Sequence, residues 1–189
     1  MNTALPTSQS GQPRDTQPPP PPARVVEIMR GVCAAVQAAH RRQLVHRDLK
    51  PENILLSRSE AGEVPKVLDF GVAKFLPAAA QATADTRSGA LVGTLAYMAP
   101  EQLCGQPVDP SWDLWALGVI SYEMLTGVHP FAGTTGADYS AVLMGRFRPL
   151  ATGAPTRWQQ FLERALHVDP ARRPNSAQIF FSELERALA

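Results

Sequence analysis

Val25, Ile28, Met29, Val32, Val36 and Ala39 recur at the three-to-four spacing of one buried helix face, which predicts a helix from about residue 23 to residue 42. Beyond it the apolar runs shorten. Residues 44–45, 54–57 and 66–68 are brief runs rich in Leu, Val and Ile, separated by polar and turn-forming residues. They predict small strand pairs rather than a broad sheet, with functional loops between them. Residues 77–90 are rich in Ala, Thr, Ser and Gly without periodicity, the pattern of a long loop. The helical pattern then returns. Trp112, Trp115, Leu117, Ile120 and Leu125 mark one strongly apolar helix. Trp158, Phe161, Leu162, Ala165 and Leu166 mark a second, and Ile179, Phe180, Leu184 and Leu188 a last. Pro110, Gly127, Pro130, Pro170 and Pro174 punctuate their ends.

Residues 1–23 follow neither pattern. They hold seven of the eighteen prolines, including the run Pro18 to Pro22, and no large apolar residue after Leu5. Such a segment cannot bury a core and is expected to be a proline-rich disordered tail, a stiff linker in preference to a polyproline II ligand for an aromatic groove. The remainder, 24–189, is expected to form one domain, since a 189-residue chain that is 44% hydrophobic can bury a core.

Charge and cysteine content narrow the function classes. Eighteen basic residues nearly balance seventeen acidic ones, for a net charge of +1, so no bulk field holds nucleic acid or an anionic membrane and any phosphate chemistry is local. Cys33 and Cys104 lack metal-ligand spacing and suit a reduced, cytoplasmic chain. No apolar run approaches the roughly 20 residues that cross a bilayer, and the first residues carry no apolar signal core. No membrane segment and no nucleic-acid partner are expected.

The chemistry concentrates in His46, Arg47, Asp48, Leu49, Lys50, Pro51, Glu52 and Asn53, which lie between two short apolar runs where a loop is expected. Sixteen residues after Asn53 stand Asp69, Phe70 and Gly71, then Gly93 and Thr94, then Ala99, Pro100 and Glu101. Each motif alone is weak; their joint order and spacing are not. The set resembles the catalytic and activation segments of protein kinases, and the resemblance runs over about residues 23–189. It extends to Asp113, Trp115 and Gly118 and to Asp169, Pro170, Arg173 and Pro174. It implies an α+β, protein-kinase-like fold: a mostly helical C-terminal lobe with short β-strand pairs. The lysine at position 50 is similar to that of serine/threonine kinases, in particular bacterial ones.

Moving a γ-phosphoryl group requires a positioned hydroxyl, metal ions that bridge phosphates and cations that absorb charge. By resemblance, Asp48 orients the substrate hydroxyl and accepts its proton, and Lys50 neutralises the transferring phosphate. Asn53 and Asp69 offer oxygen ligands of the type that suits Mg²⁺. Lys50, Glu52, Asn53, Leu55 and Asp69 are expected around ATP, with Leu55 as the floor beneath the adenine. Thr94 is expected between the base and Lys50, positioning the substrate. Arg47 before the aspartate resembles the arginine that pairs with a phosphorylated activation loop, which makes Thr86 and Ser88 the expected phosphosites, with Thr83 also available.

Other matches are structural. Glu101 and Arg173 resemble the family's buried ion pair, whose disruption costs about 3 to 5 kcal/mol. Asp113 is similar to the residue that accepts backbone N–H bonds from the catalytic loop, and His46 and Phe70 join a packed column behind the site. His40, His129 and His167 are expected to be ordinary core or surface residues.

A complete kinase also carries a glycine-rich loop, a strand lysine and a helix glutamate; no G-x-G-x-x-G stands in these 189 residues. The resemblance therefore covers the C-terminal lobe, with the N-terminal lobe absent. Three readings follow: a serine/threonine kinase domain acting on protein substrates and represented here in part, a catalytically silent interaction module, or a half-enzyme completed by a partner chain.

Overall fold

The predicted stripe on the first long helix is the seam of the core. In the computed structural model, which describes residues 3–4, 18–59, 62–70, 96–133 and 138–189, helix α1 (Pro22–His40) buries Val25, Ile28, Met29, Val32, Cys33, Val36 and Ala39. Pro22 opens it at a position where the missing N–H costs nothing. Its end is a Schellman closure: Gln43 adopts φ 59°, its N–H donates to the His40 carbonyl at 2.9 Å, and the Leu44 N–H donates to Ala39 at 3.1 Å. This closure uses the Leu44 N–H. Residues 44–45, expected as a strand, accordingly form irregular chain with no ladder among the described residues.

A three-stranded antiparallel sheet flanks α1, in the order β1 (Thr3–Ala4), β2 (Ile54–Ser59) and β3 (Gly62–Val67). In β2, Ile54 is buried and Leu56 packs against the core, so the alternating Leu55 lies on the opposite face. Strand β3 begins four residues before the expected start because Pro65 masks it. Pro65 pairs with Leu56 on an edge strand, where a residue without an N–H is tolerated. Two parts of the segment expected as a structureless tail are placed. Thr3 and Ala4 pair with Leu56 and Leu55, because the outer edge of β2 presents unpaired backbone groups, and α1 starts one residue before residue 23.

The centre of the fold is α3 (Ser111–Thr126), preceded by the short α2 (Pro100–Leu103). Residues Ser111 through Glu123 are all buried, as an all-round apolar helix requires. Gly118 lets it meet α5 (Thr156–Ala165): a Cβ there would stand 3.0 Å from Leu166 Cδ2. Gly127, at φ 76°, ends α3 in the left-handed conformation that favours glycine. Beyond α3 lie α4 (Tyr139–Leu143), α5 and α6 (Ala177–Leu188). Helix α6 buries Ala177, Phe180, Leu184 and Ala187 against α1 and α5. Ile179, expected on that buried face, lies off this stripe and is 42% exposed.

Candidate active site

One carboxylate organises the 46–53 loop. Asp113, on the first turn of α3, is buried and accepts the backbone N–H of His46 at 2.9 Å through Oδ2 and that of Arg47 at 3.0 Å through Oδ1. Arg47 takes φ 68°, a conformation disfavoured for residues with a side chain, and the two bonds offset that cost. From the other side, Gln102 of α2 donates its amide to the Arg47 carbonyl at 2.8 Å. The loop is thus fixed between α2 and α3. Asp113 Oδ2 also meets His40 Nε2, at the end of α1, at 2.7 Å.

His46 is buried behind this loop. Its Nε2 lies 2.7 Å from the Leu68 carbonyl, an acceptor, so this nitrogen carries the proton. Nδ1 then faces the Asp48 N–H at 3.4 Å. The imidazole packs edge-on against Phe70, with ring centroids 4.9 Å apart. His46 therefore ties the start of the loop to the end of β3, where Asp69 follows.

The front of the loop gathers the polar groups. Lys50 Nζ lies 3.0 Å from Asp48 Oδ2, so cation and carboxylate face one point. Asn53 closes the short 3₁₀ turn Pro51–Asn53, and its Nδ2 donates to the Asp48 carbonyl at 2.7 Å. That bond leaves Asn53 Oδ1 as an oxygen donor. The Leu68 N–H donates to the Asn53 carbonyl at 2.8 Å, which brings the two segments together next to Asp69. Asp69 is exposed and takes φ 59°. Glu52 is exposed, and Leu55 follows on the outward face of β2. Among the described residues no cluster of three His, Cys, Asp or Glu side chains could hold a metal ion. An oxygen-only pair, Asn53 and Asp69, suits instead a hard cation that takes its other ligands from phosphate and water.

The charged pair beneath α2 is complete. Arg173 Nη1 and Nη2 donate to Glu101 Oε1 and Oε2 at 2.6 and 2.8 Å. The other donors go to the carbonyls of His167 at 2.7 Å, Ser111 at 3.0 Å and Val168 at 3.2 Å, which occupies all five guanidinium N–H groups. The guanidinium also lies over Trp115, 4.9 Å from the ring centroid.

Thr86, Ser88 and Thr94, with Thr83, lie outside the described residues. His40, expected to be an ordinary core or surface residue, instead braces Asp113, and Gln102 carried no expectation. His40 stands four residues after Val36 and eight after Val32, on the buried stripe, and a polar residue there calls for a buried partner. Glu123, for which no role was expected, is buried and its Oε2 accepts from Tyr97 Oη at 2.6 Å. His129 packs edge-on against Tyr97, centroids 5.4 Å apart, with Nε2 3.1 Å from the Ala96 carbonyl.

Comparisons with known proteins agree on one family. Residues 15–184 match the protein kinase domain. The chain is 39% identical over 170 residues to the serine/threonine-protein kinase pkn3 of Myxococcus xanthus, covering 86% of this chain and 31% of that protein. It is 42% identical over 173 residues to Pkn1 of the same organism, covering 87% and 24%. With PknL of Mycobacterium tuberculosis it shares 37% identity over 171 residues, covering 88% and 41%. The chain thus spans well under half the length of these curated relatives. The family match covers nearly all of the described structure, including the loop anchored by Asp113 and the Glu101–Arg173 pair, and the chain belongs to the protein kinase domain family.

Proposed function

We propose that this chain carries the phosphoryl-transfer half-site of a serine/threonine protein kinase that uses ATP and Mg²⁺ on protein substrates. The observation that supports this best is the convergence of Asp48, Lys50 and Asn53: a carboxylate and an ammonium 3.0 Å apart, on a loop cross-braced by the Asn53 amide. Phosphoryl transfer depends on positioning and electrostatics rather than on covalent chemistry by the protein.

In this reading Asp48 Oδ orients the incoming serine or threonine hydroxyl and takes up its proton. Lys50, held beside Asp48, draws the negatively charged group toward the same point. Asn53 and Asp69 hold Mg²⁺, and Leu55, with Glu52 and Lys50 nearby, lines the nucleotide floor. Mg–ATP, when bound, supplies the group to be moved and the cation that spreads its charge. Thr94 positions the substrate, and Arg47 pairs with phosphate on Thr86 or Ser88. Protein substrates and a cytoplasmic location belong to the same reading; the absence of any helix long and apolar enough to cross a membrane among the described residues and the two unpaired cysteines support it. A glycine-rich loop comes from outside these 189 residues, in the same polypeptide or from a partner chain.

The test compares the chain with its Asp69→Asn variant for Mg²⁺-dependent ATP binding by calorimetry and for phosphate transfer to a generic protein substrate. Weak ATP binding that requires Mg²⁺ and disappears in the variant is expected. Equal binding by both proteins, or binding indifferent to Mg²⁺, overturns the assignment of Asp69.

A further inference from the structure

The outer edge of β2 is occupied by two residues from the far N-terminal end of the described chain. Thr3 and Ala4 pair with Leu56 and Leu55, and β1 also touches the 3₁₀ turn Pro51–Asn53. The turn carries Asn53, and β2 carries Leu55. Without β1, the outer backbone edge of β2 beside these two residues would be unpaired, and the segment would be held only by β3 and by its packing on α1.

We infer that the N-terminal strand is a positioning element of the nucleotide half-site: Thr3–Ala4, by strand addition to β2, holds the Asn53 turn and the Leu55 floor in place. This inference rests on the proposed nucleotide role of Asn53 and Leu55. Backbone geometry identifies which bonds do the holding. The Asn53 carbonyl accepts from the Leu68 N–H, on the β3 side, and backbone groups alternate along a strand. Leu55 and Ser57 therefore face β3, whereas Leu56 turns its N–H and C=O to β1. In the register Thr3↔Leu56, Thr3 exchanges both bonds with Leu56, while the N–H of Ala4 points away from β2.

Two proline variants follow from that register. Thr3→Pro removes a donor inside the ladder, whereas Ala4→Pro removes a donor that faces outward and keeps residue 3 extended. The experiment measures amide hydrogen exchange at Leu56 and binding of ADP with Mg²⁺ in the full 189-residue chain and both variants. Thr3→Pro is expected to expose the Leu56 amide to exchange and to weaken ADP by about fivefold, the weight of one net hydrogen bond; Ala4→Pro is expected to match the unaltered chain in both. Loss of Leu56 protection with unchanged ADP affinity overturns the positioning role and leaves the proposed function standing. An unprotected Leu56 amide in the unaltered chain overturns the strand itself. Protection at Leu56 with no ADP binding by any of the three proteins overturns the nucleotide role and the inference with it.

Discussion

His40 Nε2 lies 2.7 Å from Asp113 Oδ2 across 73 residues of sequence, both side chains buried. Asp113 is thereby held from α1 while it accepts the His46 and Arg47 N–H groups, so the last turn of the first helix acts on the loop that carries Asp48. Asp113→Ala leaves one buried and one part-buried N–H donor without acceptors, at about 1 to 3 kcal/mol for the buried one. A loss of at least about 2 kcal/mol in urea unfolding is expected, and under the proposed function the Mg²⁺-dependent ATP binding is expected to be lost with it. His40→Phe keeps the bulk and removes the brace, and under the proposed function should weaken Mg²⁺-dependent ATP binding more than stability.

The buried Glu101–Arg173 pair behaves differently from a surface bridge. Glu101→Gln leaves the Arg173 charge inside the core, and the expected destabilisation is about 3 to 5 kcal/mol. A double variant, Glu101→Leu with Arg173→Met, removes both charges and should regain part of that loss. A double-mutant cycle in guanidinium unfolding measures the difference.

Gly31 sits where α1 crosses β3. A Cβ at this position would clash with Pro65 Cγ, so Gly31→Ala must push the hairpin away from the helix. Overpacking of this kind costs about 1 to 3 kcal/mol and outweighs the gain of up to about 1 kcal/mol from replacing glycine in a helix. A lowered Tm is expected. Adding Pro65→Ala should restore it, because the contacting ring atoms are then gone.

Burial holds the His129 imidazole below its ordinary value of 6.5, against the opposing pull of the Glu123 carboxylate. The neutral ring uses both nitrogens, with Nε2 facing the Ala96 carbonyl and Nδ1 accepting from the Phe131 N–H at 3.2 Å. Below pH 6.5 the unfolded chain takes up the proton first, so stability is present above that pH and falls as the pH drops toward the depressed folded value. Urea unfolding between pH 7.5 and about 5 should show that decline, and His129→Gln should flatten it.

Local order was legible because it repeats. The stripe of α1, the all-apolar face of α3 and the proline and glycine stops follow from a helical period, and each lies where the spacing put it to within a few residues. The chemistry was legible for a related reason: residues 46–53 and Asp69–Phe70 form short contiguous motifs whose order survives without any three-dimensional information. The strands were less so. Pro65 hid the first half of β3, since its tolerance depends on the strand being an edge, a property of the sheet rather than of the segment. Leu44 and Val45 carry strand-like residues, but the helix closure takes the Leu44 N–H.

By itself, then, the sequence determined the four long helices, the family and the order of the polar groups along the loop. Only the tertiary structure decided what holds that loop: the Asp113 carboxylate, His40 behind it, Gln102 beside it and the strand at the outer edge of β2. Those contacts join positions 51 to 73 residues apart. Periodicity and spacing report on neighbours along a chain, whereas a buried carboxylate finds its donors only once the helices have packed and water has been removed from around it.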